Sequence, residues 1–457
     1  MHSQNSHFVD NTITNTDHYL GSLSDRSYFY GNIFIDCLRG IKGGSDYDSI
    51  YVKNNRFIDG TDGIHVSYAN VEIVNNYFEN CNVYTESTIG LLRNNLSNNG
   101  EIWTSGDYLV YNNIGYNGEG YGLKVGHNPY CVNNISVNNR YAIWTATEKY
   151  ENCIIVMNEQ LTQYIISGTP IFRNCIVDFP LEYPLIDGGG NIIVDSLQAQ
   201  QIFEDIENGD FHLAEGSIAI DAGFDTLGYY YPFDIEYHTR VWDGNGDGNA
   251  IIDIGAYEYG APSLGGIQGY TFNPENGERV DYVFIKINNE PGEFTFSDSA
   301  GNFEYKLLAG MYDMYAERVF YDDVIEYDIE VFDGQFTQIA IPMTETFDVD
   351  EHEQEHLENG FLISAYPNPF SNSTAISIKF NHPTSLRSVV AGELTRIKIY
   401  NIKGQLVRNF PFAASLSRSI EITWDGKNEN DKEVGTGVYF YKLSSSDECI
   451  GKVVKLR

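Results

Sequence analysis

Between residues 5 and 175 apolar positions recur in short runs that alternate with polar ones, punctuated by Asn and Gly, and no helical periodicity runs through them. One register is always aliphatic: Ile41, Ile64, Val83, Ile102, Leu123, Ile143 and Ile165, at intervals of 23, 19, 19, 21, 20 and 22 residues. A second is polar, the second residue of an Asn-Asn step or its equivalent: Asn32, Asn55, Asn76, Asn95, Asn113 and Asn134, continued by Cys153 and Cys175. Its intervals are 23, 21, 19, 18, 21, 19 and 22. Two registers keeping step at a period near 20 predict a solenoid in which each interval is one coil.

Short β-prone segments with Gly and Asn turns at this period predict a right-handed parallel β-helix, each coil hydrogen-bonded to the next. A leucine-rich repeat would need an L-x-x-L-x-L consensus, which is absent. Stacked Asn side chains can pair amide to amide along the axis, and Asn tolerates the left-handed backbone of tight corners. Because side chains alternate across a strand, the aliphatic register faces inward and the residue after each member faces outward. The outward column is Lys42, His65, Tyr84, Trp103, Lys124, Trp144 and Ile166. Cys153 and Cys175 replace Asn in adjacent coils, about 4.8 Å apart, which allows either a disulfide or two buried thiols.

Beyond residue 175 the repeat degrades, and residues 209–223 (GDFHLAEGSIAIDAG) and 240–260 (RVWDGNGDGNAIIDIGAYEYG) follow. These strings resemble the terminal segment of secreted bacterial β-helix proteins of the pectate-lyase-like, choice-of-anchor type, a resemblance that implies fold and address rather than a reaction. Asp243, Asn245, Asp247 and Asn249 alternate with Gly, as oxygen ligands do around a calcium ion. The loop resembles an EF-hand-type loop, but Ile254 stands at its twelfth position and the nearest carboxylate is Asp253. A structural calcium ion held by these residues is the expectation, against a solvated Gly/Asn-rich turn.

Residues 263–343 read as strands, with Asp298-x-x-Gly301-x-Phe303 and Ala309-Gly310-x-Tyr312 turns that resemble a carboxypeptidase-regulatory-like β-sandwich. Residues 344–360 form an acidic linker. Residues 361–457 carry Tyr366-Pro-Asn-Pro-Phe370, Ile397–Gly404, Trp424-Asp-Gly426, Gly437–Tyr441 and a basic closing strand, in the order found in type IX secretion C-terminal sorting domains. That resemblance implies an immunoglobulin-like sandwich, a partnership with the secretion machinery and a secreted or outer-surface address in a Gram-negative bacterium. The whole chain is thus expected to be all-β: a β-helix over 1–262 and two small sandwiches. Residues 1–20 lack the basic and apolar regions of a signal peptide, so N-terminal coils are expected to be missing.

Composition narrows the partners. With 28 Lys+Arg against 64 Asp+Glu, the net charge of −36 repels nucleic acid and anionic membranes. No apolar run reaches the roughly 18 residues of a membrane-spanning helix. Asp59-Gly-Thr-Asp62-Gly-Ile-His65 faintly resembles a polygalacturonase stretch, with His65 where that family has its second Asp, and the family's further elements are absent. The aromatic members of the outward column suit a different task. His65, Tyr84, Trp103, Lys124 and Trp144 are the candidate carbohydrate-binding residues, and the ligand is an extracellular polysaccharide or cell-surface glycan. The expected function is a non-catalytic polysaccharide-binding or adhesin protein; the alternative is a lyase or glycoside hydrolase.

Overall fold

The computed structural model describes residues 5–17, 19–21, 26–44, 49–126, 130–142, 149–160, 169–225, 232–288, 293–318, 321–345, 361–366, 370, 373–380, 396–401, 403, 405–411, 419–429, 432–443 and 451–456. It is a parallel β-solenoid followed by mostly antiparallel β-sheets, in which Gly266–Phe272 and Phe336–Pro342 pair in parallel. One ten-stranded parallel sheet runs in chain order from Thr12–Thr14 to Ile192–Ile193. A second runs from Asn5–Val9 to Ile186–Asp187. A third wall, Leu20–Gly21, Arg39–Gly43 and Asp62–Ser67, joins this second sheet through the long strands Asn82–Arg93 and Ile102–Tyr111.

The alternation expected from the sequence sets the inside of each wall. Leu20, Ile41, Ile64, Val83, Ile102 and Leu123 pair coil to coil in one register. On the second ten-strand path Phe8, Phe29, Val52, Ile73, Leu92 and Val110 form another inward column. Inside the first sheet Phe34, Phe57 and Phe78 stack with centroids 4.6 and 5.0 Å apart, offset contacts that add to the area they bury.

Each half of the Asn-Asn step does a different job. The first residue turns the corner in the left-handed region: Asn54, Asn75, Asn94, Asn112, Asn133, Asn152 and Asn174 have φ between 46° and 59°, a conformation Asn tolerates better than most residues. The second points inward. Asn11, Asn32, Asn55, Asn76, Asn95 and Asn113 each donate from Nδ2 to the Oδ1 one coil on, at 2.9 to 3.1 Å. Each of these amides also caps a buried carbonyl in its own coil, so no donor is stranded. Cys153 continues the column as a free thiol whose single S–H is within reach of Cys131 O and Glu151 O, the two carbonyls an Asn would cap. Cys175 is placed the same way towards Tyr150 O and Arg173 O, so the pair is two buried thiols rather than a disulfide.

After its last coil the chain turns back over the solenoid. Helix Ser196–Gln200, opened by an Asp195/Gln198 capping box, brings Ala199, Ile202 and Phe203 onto the outward face of Ile114, Ile135, Ile154 and Ile176. Residues 222–225 and 232–240 then run along the outward corner asparagines. Asn174 Nδ2 donates to Ala222 O, and Asn152 Oδ1 accepts from Phe224 N. Further along, Asn112 Nδ2 donates to Phe233 O and Asn75 Nδ2 to Tyr237 Oη.

A buried polar knot ties this strap down. Arg240, 3% exposed, donates to Glu258, Asn112 and the carbonyls of Gly255 and Tyr257. Asp253 accepts from the N–H groups of Asp221 and Tyr259, stitching the two terminal motifs together. Burial pushes the Asp253 and Glu258 carboxyls up.

The next sheets are three-stranded (Asn302–Lys306, Gly266–Phe272, Phe336–Pro342) and four-stranded (Phe294–Phe296, Phe284–Ile287, Gly310–Glu317, Val324–Val331). Phe303 lies in their shared core with Tyr312 packed against it, and Gly301 has φ 75°, which the Asp298 turn requires. Pairing continues to Glu345, which bridges Tyr321; residues 346–360 lie outside the described residues. This sandwich lies on the flank of the early coils, where Phe284, Phe294 and Phe296 cover Tyr28 and Tyr51.

The final pair of sheets is Phe361–Tyr366, Thr374–Phe380, Ser419–Trp424 and Leu406–Pro411, Arg396–Asn401, Gly437–Leu443, Gly451–Lys455. Its sequence motifs meet at Trp424, fully buried against Phe370 and Tyr439, with the indole N–H donating to Lys427 O.

Candidate functional site: an aromatic and cationic ladder

The third wall of the solenoid presents the outward column as a continuous ladder. Lys42 pairs with His65, His65 with Tyr84, Tyr84 with Trp103 and Trp103 with Lys124, each one coil from the next. The rings touch in sequence: His65 and Tyr84 centroids are 6.1 Å apart, Tyr84 and Trp103 5.8 Å and edge to face. Lys124 Nζ lies 5.2 Å from the Trp103 ring and 5.6 Å from that of Tyr121, cation–π contacts of the kind that hold a lysine against an indole. Trp144 lies outside the described residues. The four other candidate residues are all half-buried, with faces or edges open to solvent.

Three side chains outside the expected column complete the face. Tyr19 reaches across two coils, donates from its hydroxyl to Asp62 Oδ2 at 2.9 Å, and has the Lys42 ammonium 5.4 Å from its ring. Burial, and the hydrogen bond to Asp62, push its phenol up to about 12. At the other end Glu101 lies 3.9 Å from Lys124 Nζ. Burial raises the Glu101 carboxyl, with Lys124 opposing the shift.

The phenol of Tyr84 is raised by burial and then by the charges of Glu101 and Asp62, so it sits within the field of both carboxylates. Sequence reading placed no carboxylate on this face. Asp62 and Glu101 stand at the corner before the aliphatic register, where a bulge between Asn82 and Val83 shifts pairing by one residue and brings Asp62 opposite Asn82. Strict alternation hides that shift; Asp62 was visible only as part of the Asp59–His65 string.

The 243–249 loop is folded on its own oxygens. Asp243 accepts from Asp247 N and Gly248 N, Asn245 Oδ1 from Asp247 N, and Asp247 Oδ1 from Asn249. Asp253 is part of the buried knot, 1% exposed, with its oxygens taken by the N–H groups of Asp221 and Tyr259. Among the described residues no group of three or more His, Cys, Asp or Glu side chains is placed to hold a metal ion. No described helix is long and apolar enough to cross a membrane.

No curated protein matches the chain. Among solved structures it is similar to dimeric latent PorU of Porphyromonas gingivalis, at 17% identity and TM-score 0.18, over 41% of this chain and 17% of that one. A Bacteroides uniformis protein named for carbohydrate binding matches at 12% identity and TM-score 0.17, over 40% of this chain and 89% of its own. PorZ, a type IX secretion surface component of P. gingivalis, matches at 11% identity and TM-score 0.16, over 41% and 32%. Likenesses at this level carry no argument about fold or function. The match to a family is of another kind: residues 364–455, the region that closes around Trp424, match the secretion system C-terminal sorting domain, and this domain marks the protein for export by type IX secretion to the outer surface.

Proposed function

We propose that the exported protein binds extracellular polysaccharide through the ladder of Tyr19, Lys42, His65, Tyr84, Trp103 and Lys124. The observation that carries this reading is the coil-by-coil register of aromatic and cationic side chains that are partly exposed among the described residues. Tyr84 and Trp103 offer ring surface to sugars, and the coil rise of about 4.8 Å spaces successive contacts along a polymer. The sorting domain delivers such a surface to where polysaccharide is met.

The test is affinity electrophoresis of the full chain against neutral and acidic polysaccharides, with Tyr84→Ala and Trp103→Ala combined. Retention should fall about tenfold, as the loss of two stacking contacts implies. Unchanged retention removes the ladder from the function.

A specific observation also favours a second, catalytic reading. Asp62 and Glu101 lie two coils apart, about 9.6 Å along the axis, near the carboxylate separation of inverting glycosidases. Glu101, raised by burial, would be the acid. Release of reducing ends by the native chain and its loss in Glu101→Gln decides for this reading; retention without release decides for binding alone. Calcium enters the proposal only as a structural ion of the 243–249 loop, and an unfolding midpoint unmoved by chelator removes it.

A further inference from the structure

Where the strap ends, at Tyr237 and His238, the junction between solenoid and sandwich opens into two adjoining clefts. The first, about 430 Å³, is walled by Lys53, Asn75, Tyr237, His238, Tyr305 and Lys306 among others. The second, about 600 Å³, continues between Asp10 and the sandwich residues Gln268, Tyr270, Asn302 and Gln338. Tyr30, Thr295 and Glu304 belong to both walls, so the two make one groove. Each part lies within the roughly 300–1,000 Å³ range of pockets that hold small ligands.

The floor of this groove is held in place. Lys53, only 5% exposed, donates from Nζ to Phe294 O at 2.8 Å and to Tyr305 Oη at 3.3 Å. Tyr30 and Thr295 share a hydroxyl hydrogen bond of 2.9 Å across the junction. One buried acceptor is left over. Asn75 gives its amide N–H to Tyr237, but its Oδ1 has no partner. Farther along the same corner column Asn112 has both ends engaged, Nδ2 by Phe233 O and Oδ1 by Arg240. Asn94 and Asn133 of that column also carry buried amide atoms without a partner, so the groove is marked by its volume and its wall and not by Asn75 alone.

Chemistry of the wall selects the ligand class. Asn54, Gln268 and Gln338 supply amides that both donate and accept, and Tyr30, Tyr237 and Tyr270 supply hydroxyls on aromatic surface. Asp10, Glu236, Asp298 and Glu304 outnumber Lys53 and Lys306, which disfavours uronate or sulfated sugars. We propose that the groove between solenoid and sandwich binds a neutral oligosaccharide, at a site separate from the ladder. The site does not depend on the ladder's role, since the two lie on different walls of the solenoid.

Calorimetric titration of the full chain with neutral hexa-oligosaccharides (β-glucan, mannan and xylan) tests it. Glu304→Ala and Gln338→Ala alter exposed wall residues and leave the buried floor untouched. The expected result is a neutral ligand whose affinity falls tenfold or more in the combined groove variant and is unchanged in Trp103→Ala. Binding lost in Trp103→Ala but kept in the groove variant overturns the proposal while supporting the ladder. Absence of any neutral ligand below millimolar Kd, or preference for acidic oligosaccharides at the groove, also overturns it.

Discussion

Two outward faces of one solenoid meet different fates. On the third wall His65, Tyr84, Trp103 and Lys124 stay partly exposed. On the second sheet an equally aromatic and cationic set, Tyr28, Tyr51, Lys53, Arg93 and Tyr111, is buried. Strand chemistry does not distinguish them. The difference is imposed by chain that comes much later: the sandwich sets Phe284, Phe294 and Phe296 on Tyr28 and Tyr51, while the strap sets Phe224 against Tyr111 and Val132. The covered cations survive because partners arrive with the cover. Lys53 finds Phe294 O and Tyr305, and the Arg93 guanidinium donates to Tyr111 Oη at 3.2 Å and lies 5.3 Å from the Phe233 ring. Alternation thus says which residues point outward, and not which of them meet solvent.

The sharpest way to break this comparison is to truncate the cover. Phe284, 1% exposed, contacts Tyr28, His7, Phe294 and Phe296. Phe284→Ala should cost about 3–5 kcal/mol, the range for a buried aromatic. Tyr84→Ala on the open wall should cost under about 1 kcal/mol. Denaturant unfolding of the two variants measures both; equal losses would mean that the ladder wall is covered too.

Internal ladder positions rank next. Asn76 Oδ1 accepts from Asn55 N and Nδ2, and its own Nδ2 serves Val52 O, Val74 O and Asn95 Oδ1. Asn76→Ala strands several of these groups in a site shut to water, at a cost of about 3 kcal/mol. A loss below about 1 kcal/mol in the same unfolding assay would show that water or a coil shift replaces the amide.

Acid probes the covered face without mutation. His7 packs between Tyr28, Phe284 and Phe296, and burial, helped by the nearby Lys286 charge, lowers its pKa to about 4. The folded protein therefore holds the imidazole neutral while the unfolded chain takes a proton near pH 6.5. Stability from this group is full above pH 6.5 and is lost as pH falls towards 4. A shift of this size is worth at most about 3 kcal/mol, and the ring's partial exposure reduces that to about 2. The difference between native and His7→Phe midpoints, followed from pH 7 to 4, reads it directly; a constant difference would place His7 in water.

Much of the solenoid is legible in the sequence because its rules are local. The column from Ile41 to Leu123 and the Asn32–Asn134 ladder follow from period and alternation, and both occur in the structure. The sorting domain is legible through its motifs. The strap is not, because Phe224, Phe233 and Tyr237 have no period, and the corner asparagines that hold it look identical to those turned to water. Tyr19 escapes notice for a similar reason: its partner Asp62 is 43 residues on, joined only by the stacking of coils. Docking of the sandwich is hidden as well, since Phe284 and Phe294 read equally well as residues of its own core.

The smallest expected effect tests whether Cys153 is an adequate stand-in for Asn. Its thiol has one weak S–H to share between Cys131 O and Glu151 O, and its sulfur is a weak acceptor. The amide ladder accordingly stops at Asn134, whose Nδ2 is bonded to Val110 O. Beside Cys153 a void of about 20 Å³ is lined by Asn134, Ser136, Tyr150 and Leu123. Cys153→Asn would place an Oδ1 where it can accept from Asn134, cap both carbonyls, and use part of that void. The gain should be about 1 kcal/mol, one net hydrogen bond. Substitution by Ala separates the terms, because it widens the void and supplies no donor. If Asn at 153 is no more stable than Cys, then filling space, rather than extending the ladder, is what this position requires.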